Sequence, residues 1–167
     1  MSFKYTIEET KLEGVKVFTP DKFTDYRGTM WTYWEKDMNT PPHKISKFTH
    51  SRKNVLRGLH GDNETWKHIT CVYGAFYLVV VDYREDSPTY LQWISYTLDD
   101  KNCKSVLVPP GFLNGHLCLS DECVFHYTQS YPNEYVDWQD QMSVNWNDPA
   151  LKINWPIDNP ILSERDK

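Results

Sequence analysis

The sequence predicts an all-β protein, a sandwich or barrel, and three observations carry that reading. Short runs rich in Val, Ile, Thr, Tyr, Phe and Trp recur at near-regular spacing, the pattern of strands lying on a half-buried pleated surface. Polar or Gly/Pro-bearing turns separate them, among them Asp25-Tyr26-Arg27-Gly28, Asp86-Ser87-Pro88 and Pro109-Pro110-Gly111. Helix signals are few.

Taken in order, Gly14 to Phe18 is a β-prone run ended by Thr19-Pro20, and Thr29 to Trp34 is aromatic and β-branched. Asp37 to Thr40 closes a short turn that Pro41-Pro42 stops. Ile69 to Tyr73 leads into Gly74, and Ala75 to Asp82, with three successive valines, reads as a buried strand. Leu91 to Leu98 alternates, Asp99 to Asn102 turns, and Ser105 to Val108 begins a strand that Pro109-Pro110-Gly111 breaks. Leu117 to Leu119 and Val124 to Thr128 resume the pattern. The tail from Trp146, rich in Pro, Asn and Trp, reads as an ordered C-terminal extension on the barrel. Without a repeat or low-complexity linker, residues 1–167 read as a single domain.

Composition narrows the function. The formal charge of −5, with acids and bases well mixed, argues against nucleic acid held on a basic face but leaves room for a local phosphate pocket. No apolar run approaches membrane-spanning length, and Met1-Ser2-Phe3-Lys4 lacks a signal-peptide core. Cys71, Cys103, Cys118 and Cys123 form no Cys-x-x-Cys and read as reduced thiols of a cytoplasmic protein. Seven Trp, eleven Tyr and seven Phe serve core and sheet surface, with some free to stack on a base or sugar.

The chemistry centres on Arg57-Gly58-Leu59-His60-Gly61-Asp62 and Lys67. Histidine exchanges protons near neutrality, and a lysine on a neighbouring strand can hold negative charge that develops during the transfer. The pairing points to proton transfer on a polar, anionic ligand. Read plainly, His60 is a structural histidine, Lys67 a solvated lysine, Tyr127 a core tyrosine, and Asp148 a turn residue before Pro149. As a partner to His60, Asp148 would fix the imidazole's orientation. A metal site is the rival, but the chain has no His-x-His, and where the usual Pro-x-Gly-x-x-His would end stands Asn114, a poor transition-metal ligand.

Further blocks join these residues: Lys22 to Gly28, Asn54 to His60, Val81 to Thr89, Pro109 to Phe112, and Trp146-Asn147-Asp148-Pro149 through Ile153-Asn154-Trp155-Pro156 to Leu162-Ser163. In that order, from about Val17 to Asp166, the chain resembles the nucleotide-diphospho-4-keto-sugar 3,5-epimerases. The resemblance implies a cupin-like jelly-roll barrel, without metal or cofactor, acting as a homodimer that exchanges N-terminal strands. It implies His60 as general base with Asp148 as its carboxylate, Lys67 as enolate stabiliser and Tyr127 as acid on the opposite face of the sugar. Arg27 and Arg57 match positions near the diphosphate and sugar, and Ser51, Asn114 and His116 match the substrate pocket.

Some residues depart from the family pattern. Asp62 stands where the family usually has Gln, Leu113-Asn114-Gly115-His116 replaces Ala-His-Gly-Phe, Thr32 replaces a Glu, and the Gln-x-Asn ahead of Ser51 is missing. These features resemble a branch acting on GDP-4-keto-heptoses, so GDP-heptose is favoured over dTDP-6-deoxyhexose. Residues 132–145, with Glu134-Tyr135-Val136-Asp137-Trp138, read as a loop over the sugar. The expected activity is cofactor-independent inversion of C3, C5 or both of a nucleotide-linked 4-keto sugar, serving surface polysaccharide synthesis. A 3,4-ketoisomerase on the same scaffold and a non-catalytic sugar-nucleotide-binding cupin are the rivals.

Overall fold

A computed structural model describes residues 4–167. Met1, Ser2 and Phe3, read above as lacking a signal-peptide core, lie outside the described residues. The strands follow as β1 (Tyr5–Glu9), β2 (Lys16–Pro20), β3 (Lys22–Asp25), β4 (Gly28–Trp31), β5 (Ile45–Arg52), β6 (Leu56–Gly61) and β7 (Trp66–Tyr73). They continue as β8 (Ala75–Asp82), β9 (Trp93–Asp99), β10 (Ser105–Val108), β11 (Phe112–Cys118), β12 (Glu122–Ser130) and β13 (Met142–Ser143). A six-stranded sheet runs β1-β2-β10-β7-β12-β5, and a five-stranded sheet runs β13-β6-β11-β8-β9. Strands distant in sequence thus become neighbours, which is the cupin-like jelly roll expected for the chain. The β3–β4 hairpin joins neither sheet.

The two-residue alternation of strands explains the layers. On β8, Phe76, Leu78 and Val80 turn into the space between the sheets and join Val17, Ile69, Val106 and Phe125. Val79 and Val81 turn outward with Leu59 and Leu113, where Leu151 of the C-terminal extension covers them. Trp93 Nε1 donates to the Leu151 carbonyl at 3.0 Å and Trp155 packs on Tyr77, so the extension is ordered against the barrel as its sequence implied. Asp37 to Thr40 holds the end of a single 3-10 turn, Lys36–Met38, with Met38 buried.

Among the strands that the sequence pattern does not show in full, two bear the site. On β5, Lys47, Thr49 and Ser51 alternate with exposed Ser46, Phe48 and His50. β11 begins at Phe112, ahead of the run read at Leu117 to Leu119, because Asn114 and His116 interrupt its hydrophobicity. In both, the inward residues include polar ones, so the usual sign of a buried face is missing.

The outer face of the six-stranded sheet carries a histidine layer. Tyr33 stacks on His68 with ring centroids 4.6 Å apart, meets His126 at 5.0 Å, and donates its hydroxyl to the His68 carbonyl at 2.6 Å. Burial, helped by the charges of His43 and His126, drives the His68 pKa down to about 3. A histidine held neutral in the fold takes up a proton on unfolding once the pH is below the ordinary value of about 6.5. Stability conferred through His68 is therefore full above that value and declines as the pH falls towards 3, with a slope of up to about 1.4 kcal/mol per pH unit. Urea midpoints at pH 7.5 and 5 should show this decline, and His68→Gln should flatten it.

All four cysteines are free and buried. No helix among the described residues is long and apolar enough to cross a membrane.

Candidate active site

A cavity of about 300 Å³ opens between the two sheets at one end of the barrel, at the small end of the range for ligand pockets. Its lining includes Lys47, Arg57, Lys67 and Arg165 and no carboxylate. Four cations converging without a lining acid favour an anionic ligand.

His60 reaches the cavity because β6 and β11 approach closely. Gly58 has φ +120°, and a Cβ there would fall 2.5 Å from Gly115 Cα and 2.7 Å from the Asn114 carbonyl oxygen. A Cβ on Gly61 would strike the Phe112 carbonyl. The glycines flanking Leu59-His60 are thus demanded by strand packing, and His60 pairs in register with Asn114.

The carboxylate on His60 is Asp166, not the Asp148 expected from the sequence. His60 Nε2–H donates to Asp166 Oδ1 at 2.6 Å, while Ser163 donates its hydroxyl to Oδ2 at 2.9 Å. Asp166 is 5 % exposed. Burial would raise its pKa, but the hydrogen bond and charge of His60, with Ser163 and the Gly58 N–H, hold it below the usual carboxylate range. With Nε2–H committed to that carboxylate, Nδ1 keeps the lone pair. Asp148 instead accepts the Ala150 N–H at 2.8 Å in a local turn and does not line the cavity. The signal that could have found Asp166 is faint, a serine three residues ahead of an acid near the end of the family-like region.

Lys67 lies on β7 and its Nζ donates to Asn114 Oδ1 at 3.0 Å. Burial lowers its pKa to about 8, with Arg165 and Lys47 pushing the same way and Asp62 opposing. Asp62 does not line the cavity. Its Oδ1 accepts the Glu64 and Thr65 N–H groups at 2.9 and 2.7 Å, so it shapes the β6–β7 turn and acts on Lys67 through its charge.

Tyr127 faces the cavity from β12, in the other sheet from His60, and pairs in register with Lys47. Burial raises its pKa, and Lys47 only partly offsets this, so the phenol keeps its proton at neutral pH. Arg57 lines the cavity with its Nε–H donated to Ser51 Oγ at 3.0 Å. Ser51 is therefore a support for Arg57 and not itself a lining residue. Asn114 and His116 both line the cavity. Arg27 does not: it sits at the exposed tip of the β3–β4 hairpin, paired with Asp25 at 2.6 Å.

The loop read as lying over the sugar contributes Tyr135, Trp138 and Gln141 to the lining. Lys47 Nζ donates to the Tyr135 hydroxyl at 2.5 Å, and Arg165 lies 5.4 Å over the Trp138 ring and donates to Gln141 Oε1 at 3.2 Å. Lys47, Thr49, Gln129 and Arg165 are lining residues that the sequence reading did not single out. Among the described residues no group of three or more His, Cys, Asp or Glu side chains could hold a metal ion.

The profile of the dTDP-4-dehydrorhamnose 3,5-epimerase family matches residues 9–167. The chain belongs to this family. It is 34 % identical over 167 residues to the dTDP-4-dehydrorhamnose 3,5-epimerase of Shigella flexneri, spanning 95 % of this chain and 91 % of that one. The crystal structure of the Bacillus anthracis dTDP-4-dehydrorhamnose 3,5-epimerase with TDP and PPi bound superposes with a TM-score of 0.91 at 32 % identity, over 98 % of this chain and 97 % of the other. The dTDP-6-deoxy-D-glucose 3,5-epimerase of Legionella pneumophila, in complex with dTDP-4-keto-L-rhamnose, gives 0.90 at 28 % identity, over 98 % and 90 %. The family model and the relatives named are all epimerases, and this member is an isomerase, a sugar-nucleotide epimerase.

Proposed function

We propose that this epimerase inverts C3, C5 or both of a nucleotide-diphosphate 4-keto sugar, with His60 as base, Asp166 as its orienting carboxylate, Lys67 as enolate stabiliser and Tyr127 as acid. The observation that carries the reading is a base and an acid facing one cavity from different sheets, with a buried ammonium beside them. The C4 ketone acidifies the neighbouring C–H bonds. His60 Nδ1 takes the proton, the electron pair moves onto the C4 oxygen, and Lys67 meets the charge formed there. Tyr127 then delivers its proton to the carbon from the opposite face, which inverts it. Arg57, Arg165 and Lys47 are placed to receive the diphosphate. A ketoisomerase has no support from the relatives named above, which are epimerases.

Incubation with 4-keto nucleotide sugars in D₂O tests the reading. The named relatives put dTDP-linked sugars first, and GDP-4-keto-heptose completes the panel. One or two solvent deuteriums should enter the product, and a complete lack of uptake across the panel would sink the proposal. The reaction suits a cytoplasmic supply of sugars for surface polysaccharide, in keeping with four free thiols. Residues 1–167 act in this reading as one cupin-like domain.

The alkaline side of the pH profile follows from Lys67. Its ammonium carries charge below about 8 and loses it above, so kcat should fall as the pH rises through that value. Lys67→Met should remove this limb and lower kcat by roughly 10²–10³-fold. Asp62→Asn withdraws a charge that supports the ammonium, so its limb should move to lower pH.

The proposed assembly is a homodimer. The β3–β4 hairpin exposes Phe23, Tyr26 and Met30 and carries Arg27 outside its own chain's cavity, a poor arrangement unless another copy covers it. Sedimentation should give twice the chain mass. If Arg27 serves the partner's cavity, mixing inactive Arg27→Ala and His60→Asn chains should restore part of the activity, and an absence of complementation argues against exchange.

A further inference from the structure

The deep end of the cavity holds an imidazole that the proton-transfer scheme does not use. His116 follows Asn114 on the same side of β11 and is 4 % exposed. Its ring stacks on Phe125 with centroids 4.1 Å apart and planes 14° from parallel, and Phe76 lies 5.3 Å away. Its Nε2 is buried without a hydrogen-bond partner. Burial, then the charges of Arg57 and His60, lowers its pKa to about 3. The ring is therefore neutral, with one nitrogen donating and the other accepting.

A buried polar atom without a partner is costly, and a phenyl or isobutyl group would fill the same floor without that cost. His116 lines the cavity, so a ligand bound there meets its imidazole ring. The Arg57 guanidinium acts on that ring through its charge, which disfavours a further positive group. A neutral imidazole is a poor match for phosphate beside the arginines and lysine nearer the mouth, whereas a hydroxyl can both donate to it and accept from it. Gln129, which pairs in register with Lys67 farther along the same cavity, is 2 % exposed and its Oε1 also lacks a partner.

We infer that His116 is a specificity-determining residue whose imidazole hydrogen-bonds a hydroxyl of the sugar, so that the site selects 4-keto sugars bearing that hydroxyl over their deoxy analogues. The inference rests on the sugar-nucleotide reading above. The hydroxyl is carried either by C2 of the ring or by the exocyclic C6, and the two are chemically alike to His116.

The test compares wild type with His116→Phe and His116→Gln on nucleotide-linked 4-keto hexoses bearing both hydroxyls, lacking that at C2, or lacking that at C6, in dTDP and GDP series. Values of kcat/KM come from deuterium incorporation. Wild type should prefer the full sugar over one deoxy analogue by about tenfold or more. His116→Phe should lose that preference at the same carbon, and His116→Gln should keep part of it. Absence of any preference in wild type, or full retention in His116→Phe at both carbons, overturns the inference. Calorimetric binding of the corresponding 4-hydroxy sugars to wild type needs neither turnover nor a folded variant, and there the same tenfold preference is expected. If wild type exchanges no deuterium with any substrate, the epimerase assignment fails, while binding to wild type still tests the hydroxyl preference and binding to His116→Phe still tests its origin.

Discussion

Replacing His60 by Asn should lower deuterium incorporation by on the order of 10²–10⁴-fold, the range supplied by a positioned acid–base group. The amide keeps a similar size and can still hydrogen-bond Asp166, so folding should survive. What disappears is a nitrogen lone pair able to take a carbon-bound proton. Circular dichroism and the thermal midpoint check the fold, and the isotope content of the product checks the chemistry. Full exchange by a folded His60→Asn protein would remove His60 as the base.

Asp166→Asn should cost about 10²-fold or more in kcat while leaving substrate affinity less affected. Asp166 holds Nε2–H of His60 at 2.6 Å, which leaves Nδ1 as the basic nitrogen and stabilises the imidazolium once the proton is taken. An amide can offer its N–H₂ to Nε2 and trap the opposite tautomer. The same carboxylate links stability to pH. Its pKa is lowered in the fold, so its stabilising contribution is present above the unfolded carboxylate value of about 3.9 and is lost as the pH falls through the folded value. Asp166→Asn should therefore weaken the acid dependence of unfolding as well as the rate. Asp148→Asn is the control: its carboxylate serves a local turn, and kcat should hardly move. A large loss at Asp148 with none at Asp166 would reverse the assignment.

Legibility of the fold followed apolar content. β8 and β10 coincide with the runs read from Ala75 to Asp82 and from Ser105 to Val108, because nearly every side chain there is buried and apolar. β5 has no strand signature in the sequence, since its inward Lys47 and Thr49 line the cavity. The same polarity that makes a strand useful in the site erases its hydrophobic signature. The loop over the cavity was legible as an aromatic insertion, but its ties from Tyr135 to Lys47 and from Trp138 to Arg165 were not. Both join residues far apart in the chain.

The residue types and their order predicted an all-β chain, and the resemblance carried by its ordered motifs implied the family's reaction, with His60, Lys67 and Tyr127 as the groups to examine. Those conclusions rest on local alternation, on turn chemistry and on motifs read along one segment at a time. The carboxylate behind His60 belongs to another class of fact. Asp148 and Asp166 are both acids in family-like surroundings, and spacing does not separate them. The choice is made where the chain's C-terminal turn docks against β6, bringing Ser163 and Asp166 to a histidine more than a hundred residues earlier. The neutrality of His116 and the weakened hold of Lys67 on its proton likewise come from burial and neighbouring charge. Desolvation is a property of the assembled cavity, and no single segment carries it.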